Sequence, residues 1–404
     1  MIAGLVVTSC LLVTTVTFDA SASSGDQGTV AHNRLRLEST HPTSWSPSQL
    51  RVFESRWDSW LPKATAPISA SGGPISSGSS TATGTPTTAT TTTIAPTNAG
   101  SAAATQYRLD LGLEVKSGLW EVAPVASVES AIGYKISVVM GYVGWSYPAS
   151  EPSASDFPTA QLETLSGDGY LPEITWEPWN GSNGVDQPNF SLASIINGDH
   201  DSYIQAWAEA AKAYGKPLLI RFAQEMNGNW YPWSEQVNGN SPGEYVAAWQ
   251  HVHNIFTEDG ATNVKWIWSP NAVYPGTSGA SSALTELYPG NAFVDYVGID
   301  GYSYPIEGCP TASELFGPTL AITNQISDRP AMIAETGIDA NCSSQVSLMT
   351  SLLNWTSANS NIVSLTFFDQ DTATANYSLT SSLERMMHSL VSPLTMRTSD
   401  PDGL

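Results

Sequence analysis

Eight apolar runs alternate with helix-like stretches from residue 105 onward. The runs are short, whereas the stretches between them repeat apolar residues every three or four positions. They cover residues 107–113, 135–142, 170–176, 217–223, 264–268, 293–299, 331–334 and 362–368. Strands that alternate with helices form parallel sheets, and eight such units close a barrel. The pattern predicts an α/β fold, a (β/α)8 TIM barrel, over residues 105–394, followed by a tail at 395–404.

The first hundred residues carry three other patterns. Residues 2–17 are apolar and precede Ala20-Ser21-Ala22, which predicts a signal peptide over 1–22 although no Lys or Arg comes before the apolar run. Residues 23–63 contain one possible amphipathic helix, because Leu50, Phe53, Trp57 and Trp60 recur at helical spacing after Ser46-Pro47. Residues 64–104 are rich in Ser, Thr and Pro and contain neither aromatic nor charged residues. This composition predicts a disordered linker.

Charge narrows the class of partner. The net charge of the chain is -22, so nucleic acid and anionic membranes would be repelled, whereas a neutral polysaccharide would not. The same acidity is also explained, and more simply, by the solubility of a secreted protein. The signal peptide predicts a secreted, extracellular protein with no membrane attachment after cleavage, and we expect a monomer. Five glycosylation sequons fit this route, although chance can supply several in so Ser/Thr-rich a chain: Asn180, Asn189, Asn341, Asn354 and Asn376.

The cysteines also fit an oxidising compartment. Cys10 lies in the predicted signal peptide, which leaves Cys309 and Cys342 as a pair. Each is expected in a loop just after a strand, on the same face of the barrel and one unit apart. A disulfide between them is the favoured prediction, with two free buried thiols as the alternative.

Two glutamates follow apolar runs in a way that suggests chemistry. Glu225 lies within the aromatic and amide-rich stretch from Arg221 to Trp233, and Glu335 lies 110 residues later in Ile333-Ala334-Glu335-Thr336-Gly337. At about 37 residues per unit, the two end the fourth and seventh strands and face each other across the barrel mouth. A single Glu at a strand end would be an ordinary salt-bridge partner. Two carboxyl groups about 5 Å apart suit retaining hydrolysis of a glycosidic bond.

Five motifs in order then resemble glycoside hydrolase family 26. The resemblance implies a (β/α)8 barrel and a retaining endo-hydrolase of β-linked mannan or, in some members, mixed-linkage β-glucan. It implies that Glu225 is the acid/base, that Glu335 is the nucleophile and that Tyr302 donates a hydrogen bond to the nucleophile. The motifs are Trp176-Glu177-Pro178-Trp179, Arg221 to Trp233, Trp268-Ser269-Pro270-Asn271, Val297 to Tyr302 and Ala334-Glu335-Thr336-Gly337.

The residues around the two glutamates favour the same roles, with Glu225 as the acid/base and Glu335 as the nucleophile. Trp230 and Trp233 would desolvate Glu225 and raise its pKa, which suits a proton donor. Arg221 lies four residues before Glu225, shares its strand face and would favour ionised carboxylates inside the barrel. The mechanism needs no cofactor and no metal. Asp199-His200-Asp201 could suggest a metal site, but acidic residues at the start of a helix are already explained by the favourable interaction with the helix dipole.

Two positions depart from the family pattern. Gln224 stands where the family usually has His before the acid/base. An amide can donate to a sugar hydroxyl but cannot titrate. The end of the eighth strand reads Phe367-Phe368-Asp369, where the family often has Trp. Both departures indicate altered contacts to the sugars nearest the scissile bond.

Aromatic and amide side chains near strand ends predict a sugar-binding groove. Flat indole faces stack on sugar rings, although a place in the core is as well supported for any single Trp. Glu177 is interpreted either as a ligand for a distal sugar or as a structural salt-bridge partner. The predicted contact residues are Trp145, Trp176, Trp179, Trp230, Trp233, Trp268, Asn227 and Asn271.

Three functions stay open from the sequence. A secreted retaining endo-β-1,4-mannanase is favoured. An endo-β-1,3-1,4-glucanase of the same family is the alternative, because the two sugars differ at the C2 hydroxyl, which Gln224 is placed to contact. A carbohydrate-binding barrel without activity is least favoured, since both glutamates are present. A serine hydrolase is not supported, because no Gly-x-Ser-x-Gly turn occurs near a strand end.

Overall fold

The computed structural model describes residues 5–9, 12–19, 34–40, 109–146, 155–181, 183–273, 283–372 and 375–391. Three strands at the start form an antiparallel sheet: β1 (Leu5–Ser9), β2 (Leu12–Asp19) and β3 (Arg34–Thr40). The first two fall within the predicted signal peptide, whose cleavage stays a prediction. The predicted helix between residues 50 and 60 and the predicted linker at 64–104 lie outside the described residues.

Eight further strands confirm the predicted (β/α)8 barrel. They are all parallel, and the first pairs with the last, so that the sheet closes. Each of the eight apolar runs overlaps one strand. The strands are β4 (Asp110–Val115), β5 (Val138–Ser146), β6 (Leu171–Asn180), β7 (Leu218–Phe222), β8 (Val264–Trp268), β9 (Tyr296–Ser303), β10 (Ala331–Ile338) and β11 (Ile362–Asp369).

Helices connect these strands and cover the outside of the barrel. Short 3-10 turns at Gly118–Trp120, Pro188–Phe190 and Pro305–Glu307 supplement them. Among the described residues, no helix is both long and apolar enough to cross a membrane. The helices are α1 (Ala123–Ile132), α2 (Thr159–Gly167), α3 (Leu192–Ile196), α4 (Asp201–Tyr214), α5 (Glu244–Asp259), α6 (Leu284–Leu287), α7 (Ala312–Ile326), α8 (Gln345–Ala358) and α9 (Ser381–Val391).

Local sequence explains where the long helices stop. The helix α4 ends at Gly215 and the helix α5 ends at Gly260, and both glycines adopt left-handed backbone with φ of 69° and 81°. Their N–H groups bond back to the last turn, so that carbonyls at the helix end are satisfied. Each helix therefore ends where the next strand must begin.

Successive side chains of each strand point alternately toward the helices and into the barrel, which gives two separate apolar regions. In β7, Ile220 and Phe222 belong to the layer between barrel and helices, whereas Leu219 belongs to a cluster inside the barrel. This interior cluster fills one end of the barrel, and β7 places Arg221 two residues beyond Leu219, nearer the carboxyl ends of the strands. Its members are Val138, Leu219, Ile267, Tyr296, Met332, Ala334 and Val363.

Candidate active site

The two predicted glutamates lie at the carboxyl ends of the fourth and seventh barrel strands. Glu225 follows β7 by three residues and Glu335 lies within β10. Both side chains are almost fully buried, with 3 % and 1 % of their surface exposed. The carboxyl ends of the strands form the face on which barrels of this kind carry their chemistry.

Glu335 is held by three donors from three different strands. Its Oε2 accepts hydrogen bonds from the Arg221 guanidinium and the Tyr142 hydroxyl, each at 2.5 Å. Its Oε1 accepts a hydrogen bond from the Tyr302 hydroxyl, as the resemblance implied. Hydrogen bonds and a cation of this kind favour the ionised carboxylate. The environment therefore suits a carboxylate that attacks as an anion.

Arg221 joins three carboxylates inside the barrel. Its Nη1 lies 2.7 Å from Asp300 Oδ2, its Nε lies 3.6 Å from Glu173 Oε1, and Nε also donates to Thr175 at 2.9 Å. Burial raises the pKa of Glu173 to about 7, against the opposing effect of Arg221. Burial likewise raises the pKa of Asp300, again opposed by Arg221. Neither acid was predicted from the sequence to belong to the site.

Glu225 is bound by neutral donors. Its Oε1 accepts from Asn271 Nδ2 at 2.9 Å, and its Oε2 accepts from Trp230 Nε1 at 2.8 Å. The Glu225 backbone has a left-handed φ of 54°, and its N–H donates to the Ser269 carbonyl at 2.7 Å. Left-handed backbone is uncommon for a residue other than glycine. The turn directs this side chain toward Asn271 and Trp230.

Asn227 positions Asn271 and does not line a groove. The Asn227 side chain is fully buried; its Nδ2 donates to the Asn271 carbonyl, and its Oδ1 accepts from the Asn271 N–H, both at 2.9 Å. Both amide atoms are thus committed to backbone. The expectation that Asn227 contacts a sugar hydroxyl is therefore not supported, whereas Asn271 lies beside the candidate acid/base.

Gln224 uses its donor within the protein. Its Nε2 donates to Glu177 Oε1 at 2.7 Å, and Glu177 Oε2 accepts from Trp179 Nε1 at 3.2 Å. Gln224 and Glu177 are 1 % and 2 % exposed. In this structure one N–H of the amide that was expected to donate to a sugar instead holds Glu177, and the contact between Gln224 and a sugar stays a prediction.

The tryptophans are placed differently from the expected groove. Strand alternation turns Trp145, Trp176 and Trp268 outward, toward the helices, because each shares the face of its strand that packs in the outer apolar layer. Trp176 is fully buried and lies between Trp145 and Trp207 of α4, with ring centroids 4.9 and 4.5 Å away. These three side chains offer no face to a sugar here.

Three more tryptophans lie at the end of β6 and in the segment that follows β7. Trp233 is fully buried, stacks on Tyr231 at 4.3 Å and donates to the Gln224 carbonyl at 2.7 Å. Trp179 packs edge-on against the same pair. Trp230 differs because it is partly exposed and bonded to Glu225. Of the predicted stacking residues, Trp230 is therefore the one that the structure leaves accessible.

The aromatic surface around Glu335 consists of three tyrosines and one phenylalanine, of which Tyr302 alone was predicted as a site residue. Tyr142, Tyr302, Phe368 and Tyr377 pack together with Met140, separately from the outer core, and we call these four rings the tyrosine wall. Tyr142 was hidden inside an apolar run. Side chains two residues apart on a strand lie on the same face, so Tyr142 points into the barrel as Met140 does. This spacing was the signal in the sequence that could have identified Tyr142.

A disulfide ties the two loops that follow β9 and β10. Cys309 and Cys342, the predicted pair, are bonded, with their Cα atoms 5.8 Å apart. The N–H of Cys309 donates to the Tyr304 carbonyl, and Cys342 packs near the end of β9. The bond therefore connects the strand that carries Tyr302 to the strand that carries Glu335.

Together, these groups form a candidate site with two carboxyl groups at the carboxyl ends of the barrel strands. One carboxylate is fixed by an arginine and two phenols, and the other is bound by neutral donors, so the two environments differ as acid and nucleophile require. Among the described residues, no group of three or more His, Cys, Asp or Glu side chains is placed to bind a metal.

Residues 163–348 match the profile of Glycosyl hydrolase family 26, so this part of the chain is similar to that family. Endoglucanase H of Acetivibrio thermocellus is 33 % identical over 201 residues, 47 % of this chain and 20 % of that protein. A mannan endo-1,4-beta-mannosidase of Bacillus subtilis is 30 % identical over 112 residues, 26 % of this chain and 29 % of that protein. The chain therefore spans less than a third of each relative.

The fold is also shared with solved structures of the family. A family 26 β-mannanase from Bacteroides ovatus superposes with a TM-score of 0.52 and 16 % identity, over 72 % of this chain and 90 % of that one. At this identity the likeness concerns the fold alone. It is consistent with the closed eight-stranded barrel described above.

Proposed function

We propose that the protein is a secreted endo-β-1,4-mannanase that cleaves with retention of anomeric configuration. The observation that carries the proposal is the contrast between its two carboxyl groups. Glu335 accepts from Arg221, Tyr142 and Tyr302, whereas Glu225 accepts from Trp230 and Asn271. The match to the family 26 profile and the similarity to a mannan endo-1,4-beta-mannosidase support the substrate class.

In the proposed mechanism the reaction takes two steps. Glu335 attacks the anomeric carbon while Glu225 donates its proton to the leaving oxygen, which gives a glycosyl-enzyme ester and a free aglycone. Glu225, now ionised, then takes a proton from water, and the water oxygen displaces Glu335. Arg221 and the two phenols hold Glu335 in position in both steps.

The test is hydrolysis of two polymers by the same preparation. Reducing-sugar release from galactomannan should exceed release from barley β-glucan, and proton NMR during early turnover should show the β-anomer first. Release from the glucan alone would replace this proposal with the mixed-linkage glucanase, for which the similarity to Endoglucanase H is the supporting observation. An α-anomer as first product would exclude retention.

Matched variants separate an enzyme from a binding protein. Glu335→Gln keeps the shape of the nucleophile but cannot attack, so kcat should fall by about 10⁴-fold or more while oligosaccharide binding persists. The neutral surface variant Ile306→Ala serves as control, because this side chain is 82 % exposed. If wild type and Glu335→Gln bind a β-glycan equally and neither cleaves it, the protein is a binding barrel.

Secretion is part of the proposal and has its own test. The apolar run at residues 2–17 and the small-x-small site at Ala20-Ser21-Ala22 support export. Expression of the whole chain in a secreting host should deliver protein to the medium with an amino terminus near residue 23. Retention of uncleaved chain inside the cells would contradict export.

A further inference from the structure

One face of β9 continues past the nucleophile into the mouth of the barrel. Alternate residues of this strand point inward: Asp300 contacts Arg221, and Tyr302 donates to Glu335. Tyr304 comes next in this series, and its backbone stays extended with φ -141° and ψ 159°. Two extended residues advance the chain by about 7 Å. The Tyr304 ring therefore lies one step nearer solvent than the ring that holds the nucleophile.

The surroundings of Tyr304 are those of a binding surface. Its ring packs against the tyrosine wall but stays partly exposed, unlike the four members of that wall, which are all buried. Its hydroxyl donates to Glu307 Oε1 at 2.8 Å. Burial raises the Tyr304 pKa, and the charges of Glu307 and then Glu225 raise it further. The ring thus lies beside the wall and within electrostatic reach of the acid/base.

The loop that carries Tyr304 is fixed on both sides. The Tyr304 carbonyl accepts from the N–H groups of Glu307 and Cys309, each at 3.1 Å. The disulfide then anchors Cys309 to the loop that follows Glu335. A ring held by a carboxylate, a tight turn and a covalent bond loses little conformational entropy when a ligand arrives.

We propose that Tyr304 forms a sugar-binding subsite in which its ring stacks on a pyranose unit of the β-glycan next to the scissile bond, with Glu307 orienting the ring. The inference rests on the proposed function, because the ligand is the substrate of the same two carboxyl groups. Stacking needs an accessible aromatic face. Tyr304 is a partly exposed ring beside the tyrosine wall, whereas the outward-facing tryptophans are buried in the outer apolar layer.

The experiment compares four variants on the polymer that wild type cleaves. Tyr304→Ala removes the ring and should lower kcat/KM about ten-fold, mainly through KM. Tyr304→Phe keeps the ring and should stay within about three-fold of wild type. Glu307→Ala removes the carboxylate that holds the ring, so its kcat/KM should lie between the values for Tyr304→Ala and Tyr304→Phe. Ile306→Ala, on the same loop, should have the kcat/KM of wild type. Thermal unfolding of each variant checks that the fold persists.

Binding measurements keep the inference separate from the proposed activity. In a Glu335→Gln background, titration calorimetry with a β-linked manno-hexaose and the corresponding gluco-hexaose should show about ten-fold weaker binding for Tyr304→Ala than for Tyr304→Phe. Equal affinities and equal KM values for these two variants would overturn the inference. Failure of wild type to cleave either polymer, with the affinity difference intact, would instead count against the proposed hydrolysis alone.

Discussion

Arg221 balances the charges at the centre of the barrel only in part. One guanidinium faces Glu173, Asp300 and Glu335, so three ionised acids would leave an excess of negative charge away from water. The raised pKa values of Glu173 and Asp300 follow from their burial. The interior is therefore expected to keep protons at a pH where exposed carboxyl groups have lost theirs.

Glu173 should make stability depend on pH. Its folded pKa of about 7 exceeds its ordinary value of 4.5, so the folded state binds more protons between these values. The contribution of Glu173 to the free energy of unfolding is complete below pH 4.5 and is lost as pH rises through 7, by about 3 kcal/mol at most. Glu173→Gln should therefore gain stability relative to wild type across this window.

Urea unfolding at pH 4.5, 6 and 8 measures this change. A difference in unfolding free energy between Glu173→Gln and wild type that stays constant over this range would show that Glu173 does not take up a proton on folding.

Gly337 makes room for the tyrosine wall. A Cβ at this position would lie 2.8 Å from three atoms of the Tyr377 side chain, and such contacts force a neighbour to move. Tyr377 packs on Tyr302, with ring centroids 4.6 Å apart. Gly337→Ala should therefore disturb the partner of Glu335 and lower kcat about ten-fold.

The control for this change is Gly317→Ala. Gly317 lies inside α7, and the nearest atom to its added Cβ is 3.9 Å away. Its activity should be unchanged, because the position is distant from the tyrosine wall in the fold. Equal kinetics for the two alanine variants would mean that Tyr377 does not need its present position.

At the residue scale, position along a strand decided what the sequence could reveal. Glu225, Glu335, Arg221 and Tyr302 were found because polar or motif residues interrupt apolar runs at strand ends. The Trp residues were misplaced because an aromatic side chain near a strand end suits both a groove and a core. The face of the strand from which a Trp projects decides between a groove and a core location. That face could not be assigned with certainty, because one sequence does not give the register between strands.

At the scale of elements, the eight strands were predictable and their ends were not. The predicted run at 331–334 is the strand Ala331–Ile338 in the structure. The strand continues through Glu335 because Arg221 and two tyrosine hydroxyls donate hydrogen bonds to its carboxylate. The charged side chain can therefore be buried within a strand and does not require a solvent-exposed loop. Apolar periodicity cannot show this, since the compensating groups come from distant strands.

The disulfide should stabilise the catalytic face more than any single loop contact. It links residues 33 apart, and closing a loop of this size stabilises a protein by about 3 to 4 kcal/mol in the chain-entropy account. Replacing both cysteines by Ser should lower the unfolding free energy by that order. It should also raise KM, because Tyr304 and Glu335 lose their common anchor.

Reductant supplies an independent check. Wild type under dithiothreitol should approach the double Ser variant in both melting temperature and KM, and the variant itself should not respond. A wild type that melts identically with and without reductant would contradict a structural role for the bond.

At the scale of the whole molecule, the barrel closes without the first hundred residues. The strand β4 begins at Asp110 and pairs with β11, so every strand of the barrel lies after the predicted linker. A chain that begins at residue 105 should fold and keep kcat/KM within about two-fold on soluble substrate. A chain that begins at residue 116 lacks β4 and should not fold, because both neighbouring strands lose their partner.

Circular dichroism and the polymer assay measure both shortened chains. If the chain from residue 105 fails to fold, the earlier residues contribute to the barrel in a way that its strand pairing does not indicate.

Closure of the sheet between its first and last strands has a consequence for the order of the chain. Because β4 lies beside β11, and His388 in the last helix donates to the Ile132 carbonyl of the first helix at 2.9 Å, the two ends of the barrel are neighbours. The turn at Asp168-Gly169 is exposed and lies on the rim opposite the carboxylates. A circular permutant that opens at this turn, with residues 391 and 109 joined by a flexible linker, should cut the same bonds as the parent, since the chemistry depends on which strands are adjacent and not on where translation starts.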